Sequence, residues 1–162
     1  MPAPYGVVPA IPYRSTFRIP PMLDIRHIPF DGKTVELRLE QRRQYLHASV
    51  YGPENSLASS IAYWAVLAEE CERRGEKRLL VIDHLDGPAM QAEEMEKLVG
   101  HFADSILTRV RIAFVEPVAV HLPQMEHGQI LAQELGYEAR VFGGQHDAEH
   151  WLVYGGETEV RG

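Results

Sequence analysis

The chain has 162 residues, 45% of them apolar, which suffices for one domain with a sizeable core. A formal net charge of −7 with only 16 lysines and arginines leaves little to neutralise phosphates, which argues against a nucleic-acid partner. The single cysteine, Cys71, cannot form an internal disulfide. No apolar run approaches the roughly 20 residues of a membrane span, and the N-terminus lacks a signal-peptide pattern. We therefore expect a soluble cytoplasmic protein without a membrane span.

Proline dominates the beginning of the chain. Seven of the eleven prolines fall within the first 29 residues, interleaved with aromatic and aliphatic side chains. Proline at this spacing excludes a helix, because it lacks the backbone N–H and restricts the residue before it. We predict that residues 1–30 form an extended arm, which either clasps a partner subunit or lies as a leader beside its own chain. Residues 31–155 then form a single domain, and residues 156–162 a C-terminal tail.

Two strands are predicted at the start of the domain. Residues 34–40 alternate apolar and charged side chains with period two, as a strand does when one of its faces is buried. A second strand over residues 45–51 follows a short polar stretch, and Gly52 and Pro53 end it. The pair is predicted to be an antiparallel hairpin.

A helix is predicted over residues 56–74. Its apolar residues recur at steps of three and four and so share one face, and Gly75 can adopt the left-handed conformation that ends a helix. Cys71 lies on that apolar face. Burial raises the pKa of a thiol, so we interpret Cys71 as a core residue and not as a nucleophile.

Unbroken apolar runs at residues 78–83 and 110–115 are typical of strands covered on both faces, as in a parallel sheet. Between them, a helix is predicted to open at residues 86–88. Its apolar side would carry Met95, Leu98, Val99, Phe102 and Ile106.

Alternation of helix and strand continues to the end of the domain. A helix that closes at Gly136, a short strand over residues 139–142 and a last helix from about residue 145 complete the predicted order. This order predicts an α/β fold with a mixed, largely parallel sheet of four or five strands and flanking helices. It requires the apolar segments near residues 79 and 112 to be adjacent and parallel, so that the loops after them meet.

Four stretches together resemble the SpoIIAA-like group of STAS domains, and the similarity spans about residues 31–155. They are residues 78–83 with the glycine at 87, residues 111–115, residues 136–142 and residues 147–152. The resemblance implies a compact mixed sheet of four or five strands flanked by helices. It also implies a regulatory, partner-binding, small-ligand-binding or lipid-binding module, not an established enzyme.

The sequence departs from the signalling branch of that group at one position. Signalling STAS domains resemble one another in a phosphorylatable serine at the start of the helix that follows the central strand. Residues 83–89 of this chain contain neither serine nor threonine. Because phosphorylation needs a hydroxyl group to carry the added charge, we expect no such switch in this loop.

Polar side chains follow both predicted central strands. Asp83, His84 and Asp86 come after the first, and Glu116 and His121 come after the second. Imidazole and carboxylate groups at one sheet edge could bind a ligand, hold a divalent metal or form an acid–base pair. The spacing matches no strong metal signature, and Asp86 and His121 could equally cap the helices that follow.

Two further sets of residues leave alternatives open. His146 and His150 would share a helix face, either as a two-ligand metal clip or as exposed surface residues. Trp64, Phe102 and Trp151 could line an apolar ligand cavity or simply pack in the core.

The sequence favours a non-enzymatic module that binds a protein partner or an apolar small molecule, as a homodimer and without cofactor or metal. The alternative is a small hydrolase or metal-dependent enzyme, in which His84 is the general base or a ligand, Asp86 orients it, and His121 is a second ligand or an acid. An empty apolar cavity beside residues 83–89 and 116–123 would favour the binding module.

Overall fold

The fold is given by a computed structural model, which describes residues 22–155. Six strands form one sheet: β1 (Leu23–Phe30), β2 (Lys33–Gln41), β3 (Leu46–Gly52), β4 (Arg78–Leu85), β5 (Arg111–Val115) and β6 (Glu138–Phe142). The α-helices of the described range are α1 (Leu57–Arg74), α2 (Ala92–His101), α3 (Leu122–Glu134) and α4 (Gln145–His150). Short 3₁₀ turns precede β5 and α3, and a π-helical turn, Trp151–Gly155, follows α4. No helix in this range is long and apolar enough to cross a membrane.

The strands lie in the sheet in their order along the chain, from β1 to β6. β1, β2 and β3 pair antiparallel, and β3, β4, β5 and β6 pair parallel. Leu79 of β4 lies opposite Ile112 of β5, so the two apolar segments are neighbours and run in the same direction. The predicted α/β class with a mixed sheet is confirmed.

The predicted number of strands, four or five, is wrong, because β1 adds a sixth. A two-residue turn at Asp31 and Gly32, both with positive φ, joins β1 to β2. Residues 23–30, predicted as part of the arm, therefore form an edge strand of the sheet. The rest of the predicted arm, residues 1–21, and the predicted tail, residues 156–162, lie outside the described residues.

Local sequence signals account for both ends of α1. The side chain of Ser56 accepts a hydrogen bond from the backbone N–H of Ser59, and the Ser59 hydroxyl accepts one from the Ser56 N–H, which forms a reciprocal cap. Gly75 ends the helix in the left-handed conformation, with φ of 64°. The predicted helix over residues 56–74 is thus present.

The helix predicted to open at residues 86–88 begins instead at Ala92. Residues 86–91 form a loop in which the backbone N–H of Asp86 donates to the carbonyl of Gly52, 2.9 Å away, and Gly87 has a φ of 90°, outside the helical range; the N-cap of α2 is Gln91. Asp86 is therefore not the cap of α2. The helix also ends earlier than predicted, so that Ile106 belongs to the 3₁₀ turn Ile106–Arg109.

The two faces of the sheet are covered unequally. α1, α2 and α3 pack on one face and bury the larger apolar core, which includes Leu37, Leu67 and Leu79. On the other face, α4 and the π-helical turn cover β4, β5 and β6, with Leu80 and Trp151 in a second, smaller core. The layer of three helices against the sheet positions the cavity described next.

Candidate functional site

A cavity of about 110 Å³ lies between the three-helix layer and strands β4, β5 and β6, and it is partly open to solvent. Its walls are mainly apolar and rich in aromatic and sulfur-containing side chains, among them Tyr63, Trp64, Met95, Phe114, Met125 and Tyr137. A closed cavity of roughly 150 Å³ with aliphatic and aromatic walls is known to hold benzene. The space here is of the same order, so it suits a small molecule.

Asp83 lies in the cavity wall and is only 5% exposed. It is the sixth residue of β4, and its side chain points to the same face as Leu79 and Val81. Oδ1 accepts a hydrogen bond of 2.7 Å from the backbone N–H of Leu85. Burial raises the pKa of the Asp83 carboxyl, the Leu85 hydrogen bond lowers it, and the nearby charge of Glu116 raises it, so that together they bring the pKa to about 7.

Glu116 follows β5 directly and is 2% exposed. Its Oε2 accepts a hydrogen bond of 3.0 Å from the backbone N–H of Val118, and His121 Nδ1 lies 3.7 Å from the same oxygen. Because β4 and β5 are parallel, the two carboxyl groups are at the same end of the sheet, close enough to interact electrostatically. Two buried carboxyl groups thus share this region.

His84 lies on the opposite face of the sheet from Asp83, because successive side chains of a strand alternate. Its ring stacks on that of Tyr51, with centroids 4.7 Å apart and an angle of 10° between the planes. The guanidinium of Arg38 lies 4.6 Å from the centroid of the same tyrosine ring. Burial lowers the pKa of His84, and the positive charge of Arg38 lowers it further.

The five predicted site residues therefore occupy different places. Asp83 and Glu116 lie on the helix side, and His121 is next to Glu116. His84 is on the other face, and Asp86 is exposed in its loop. Within residues 22–155, no hydrogen bond or ion pair joins His84, Asp86 and His121. Over the same range, no three histidine, cysteine or acidic side chains gather as they would around a metal ion.

The paired histidines of α4, His146 and His150, are both exposed, and the ring of His150 lies 5.3 Å from that of Tyr154. Cys71 is buried in the larger core, where burial raises the pKa of its thiol to about 12. A thiol with this pKa stays protonated at neutral pH, as its interpretation as a core residue requires.

The aromatic residues proposed for a cavity divide between the two faces. Trp64 and Phe102 line the cavity, whereas Trp151 packs in the smaller core, with the Arg111 guanidinium 5.3 Å from its ring centroid. The cavity borders the first predicted loop, residues 83–89, through Asp83. As far as the described residues go, its walls include none of residues 116–123.

Sequence reasoning missed Tyr63 and Tyr137. Tyr63 lies beside Trp64 on α1, is almost fully buried and faces the carboxyl group of Asp83. The hydroxyl of Tyr137, the residue before β6, donates a hydrogen bond of 2.6 Å to the carbonyl of Val99 in α2, and both residues line the cavity. Tyr63 could have been found because it is an aromatic residue next to Trp64 in the predicted helix. No local pattern indicated Tyr137.

An apolar cavity that contains one buried acid can enclose a small organic molecule and give it a polar contact. No family model matches this chain, and no curated protein shows significant similarity to it. Its function has therefore to be inferred from the cavity and the groups in its wall.

Proposed function

We propose that this protein is a non-enzymatic α/β module of the SpoIIAA-like kind that binds a small, largely apolar molecule. The cavity between the three-helix layer and β4–β6 is the observation that carries this proposal. Apolar binding sites are commonly preformed, mainly hydrophobic spaces with a few polar groups that orient the ligand. Asp83 supplies such a group, and the surrounding aromatic rings supply the apolar contact.

The order of the elements supports the family likeness. Three antiparallel strands are followed by strictly alternating helices and parallel strands, and β4 and β5 are adjacent and both lie inside the sheet. Ligands in sheets of this kind commonly bind near the carboxyl ends of the parallel strands. Asp83 lies near the carboxyl end of β4, within the cavity wall.

The hydrolase alternative has weaker support from the geometry. A general base and its orienting carboxylate need to lie within hydrogen-bonding reach of each other. His84 instead stacks on Tyr51, on the face of the sheet opposite Asp83. A binding module requires only the cavity, so we favour it.

Filling the cavity tests this proposal. Ala132 of α3 is buried in the cavity wall, and Ala132→Leu adds three carbon atoms there. We expect the variant to bind benzyl alcohol at least tenfold more weakly than the wild type, because the space for the ring is taken. Ligand-observed NMR titration gives the two dissociation constants, and circular dichroism confirms that both proteins are folded.

Ala92→Leu is the matched control, because Ala92 is exposed at the start of α2 and does not line the cavity. It should bind benzyl alcohol as the wild type does. Equal binding by the wild type and a folded Ala132→Leu variant would contradict the proposed site.

The homodimer and the cytoplasmic location stay predictions. β1 is an edge strand whose outward face exposes Leu23 and Ile25, and an exposed edge with apolar side chains is suited to pairing with another chain. We infer that a second copy would associate there. Light scattering should give twice the mass of the chain, and a monomeric mass at high protein concentration would remove this part of the proposal.

A further inference from the structure

We propose that the ligand of the cavity is a small organic cation, whose ammonium group binds the carboxylate of Asp83 while its apolar body fills the aromatic space. The inference rests on the proposed function and adds the chemical class of the ligand. It follows from three properties of the cavity and its surroundings: a buried acid in the wall without a cationic partner, a second acid near that one, and aromatic rings in the wall.

Asp83 lacks the partner that a buried carboxylate normally has. Among the ion pairs of the described residues, none brings a lysine, arginine or histidine to Asp83. Its single hydrogen bond comes from the backbone N–H of Leu85. A carboxylate can accept several hydrogen bonds, so an ammonium donor from a ligand would complete the set.

Glu70 is a buried acid of the same protein whose negative charge is balanced by arginine side chains. The exposed fraction of Glu70, 6%, is close to the 5% of Asp83, and Glu70 accepts hydrogen bonds from Arg26, Arg73 and Arg74. Asp83 is in a cavity and has none of these partners. The difference indicates that the positive charge for Asp83 comes from outside the chain.

The charges on the Asp83 side of the sheet favour a cation over an anion. Arg140 is the one lysine or arginine among the described residues that line the cavity, and its guanidinium lies 5.5 Å from the ring centroid of Phe142, which packs against the smaller core on the other face. Glu116 places a second carboxyl group close enough to Asp83 to act on its ionisation. A carboxylate or phosphate ligand would add a further negative charge to this poorly solvated region, which is unfavourable. An ammonium group would instead neutralise one of the negative charges already present there.

The aromatic walls favour the same class of ligand. Tyr63, Trp64, Phe114 and Tyr137 line the cavity, and the rings of Trp64 and Phe114 lie 6.3 Å apart. The faces of aromatic rings attract cations, and a compact apolar ammonium compound gains from both burial and this attraction. A cavity with aliphatic walls would favour the ligand only by burying its apolar body, without the attraction between the cation and the ring faces.

Four ligands of nearly the same shape test the inference: benzylamine, benzyl alcohol, toluene and benzoate. Titrated into the 162-residue protein at pH 8, benzylamine should bind about tenfold more tightly than benzyl alcohol, and benzoate should bind most weakly. Asp83→Asn should remove the advantage of benzylamine and change the affinity for benzyl alcohol by less than twofold. Asp86→Asn, which removes an exposed carboxylate three residues away, should leave all four affinities unchanged.

The outcomes separate this inference from the proposed function. Binding of toluene and benzyl alcohol without a preference for benzylamine would overturn the cationic ligand and leave an apolar-ligand module. Tighter binding of benzoate would also overturn it. Failure of all four to bind the wild type would overturn both proposals.

A second measurement on the wild type covers the case in which Asp83→Asn does not fold. Tyr63 from α1 and Glu116 after β5 are the titratable groups that face Asp83, and the pKa of Tyr63 is raised well above its usual value, so that it stays neutral. Since Asp83 ionises at about pH 7, the affinity for benzylamine should rise about tenfold from pH 6 to pH 8. The affinity for toluene should stay constant. A flat profile for benzylamine would count against the Asp83 contact.

Discussion

Asp83→Asn is expected to stabilise the folded protein at pH 8, although it alters a buried residue of the core. Ionised Asp83 is held in a poorly solvated wall without a cation, and asparagine removes that charge while its amide oxygen can still accept the Leu85 N–H. A substitution that improves stability at a binding residue is the usual sign of a site kept for function.

The size of this effect should depend on pH. The pKa of Asp83 is about 7 in the folded state against 3.8 as the reference for the unfolded chain, so the folded state holds the proton more tightly. The stability that this proton linkage contributes is fully present below pH 3.8 and is lost as the pH rises through about 7. The advantage of Asp83→Asn should therefore grow by on the order of 2 kcal/mol between pH 5 and pH 8.

Urea denaturation of the two proteins at pH 5, 6, 7 and 8 measures this advantage as a difference in free energy of unfolding. Asp86→Asn is the control, since it makes the same change in charge at an exposed position and should show no such trend. A destabilised Asp83→Asn variant at pH 8, or an advantage that does not change with pH, would mean that the charge of Asp83 is already satisfied in the fold.

Glu70→Ala is expected to destabilise the protein by about 3 kcal/mol at neutral pH. Burial alone would raise the pKa of Glu70, but hydrogen bonds from Arg73, Arg74 and Arg26 outweigh it and lower the pKa to about 2. The bond from Arg26, 3.0 Å long, joins β1 to α1. Alanine would leave these guanidinium groups without their shared acceptor and would loosen the edge strand.

Glu72→Ala provides the comparison, because Glu72 is exposed on the same helix and its removal should cost less than about 0.5 kcal/mol. Hydrogen exchange should show faster exchange of the β1 and β2 amides in Glu70→Ala than in the wild type. Unchanged stability together with unchanged exchange in β1 would show that the arginine cluster does not anchor this strand.

The central part of the fold could be predicted because its signals are local. The unbroken apolar runs that became β4 and β5 report burial on both faces, and the periodic helix between Ser56 and Gly75 has clear signals at both ends. β1 could not be predicted in this way. Asp24 and Arg26 lie on its inward side, where alternation would require apolar residues, because Arg26 pairs with Glu70, 44 positions away.

Part of the candidate site could be predicted from local signals, and part of it depends on how distant segments of the chain pack. Asp83 and Glu116 follow from the adjacency of two parallel strands, and the structure brings them together. His84 was grouped with Asp83 as a loop residue, but β4 continues to Leu85, so these neighbours point to opposite faces. The cavity itself depends on how α1, α2 and α3 pack, and no single stretch of sequence encodes that.

Intermolecular nuclear Overhauser effects between benzylamine and ¹³C-labelled protein would test the binding cavity most directly. The ring protons should contact the methyl groups of Met95, Leu107 and Met125, and the methylene protons should lie toward the Asp83 end of the space. Contacts confined to exposed side chains such as Val120, or the absence of any contact with these three residues at saturating ligand, would contradict a ligand held between the helices and the sheet.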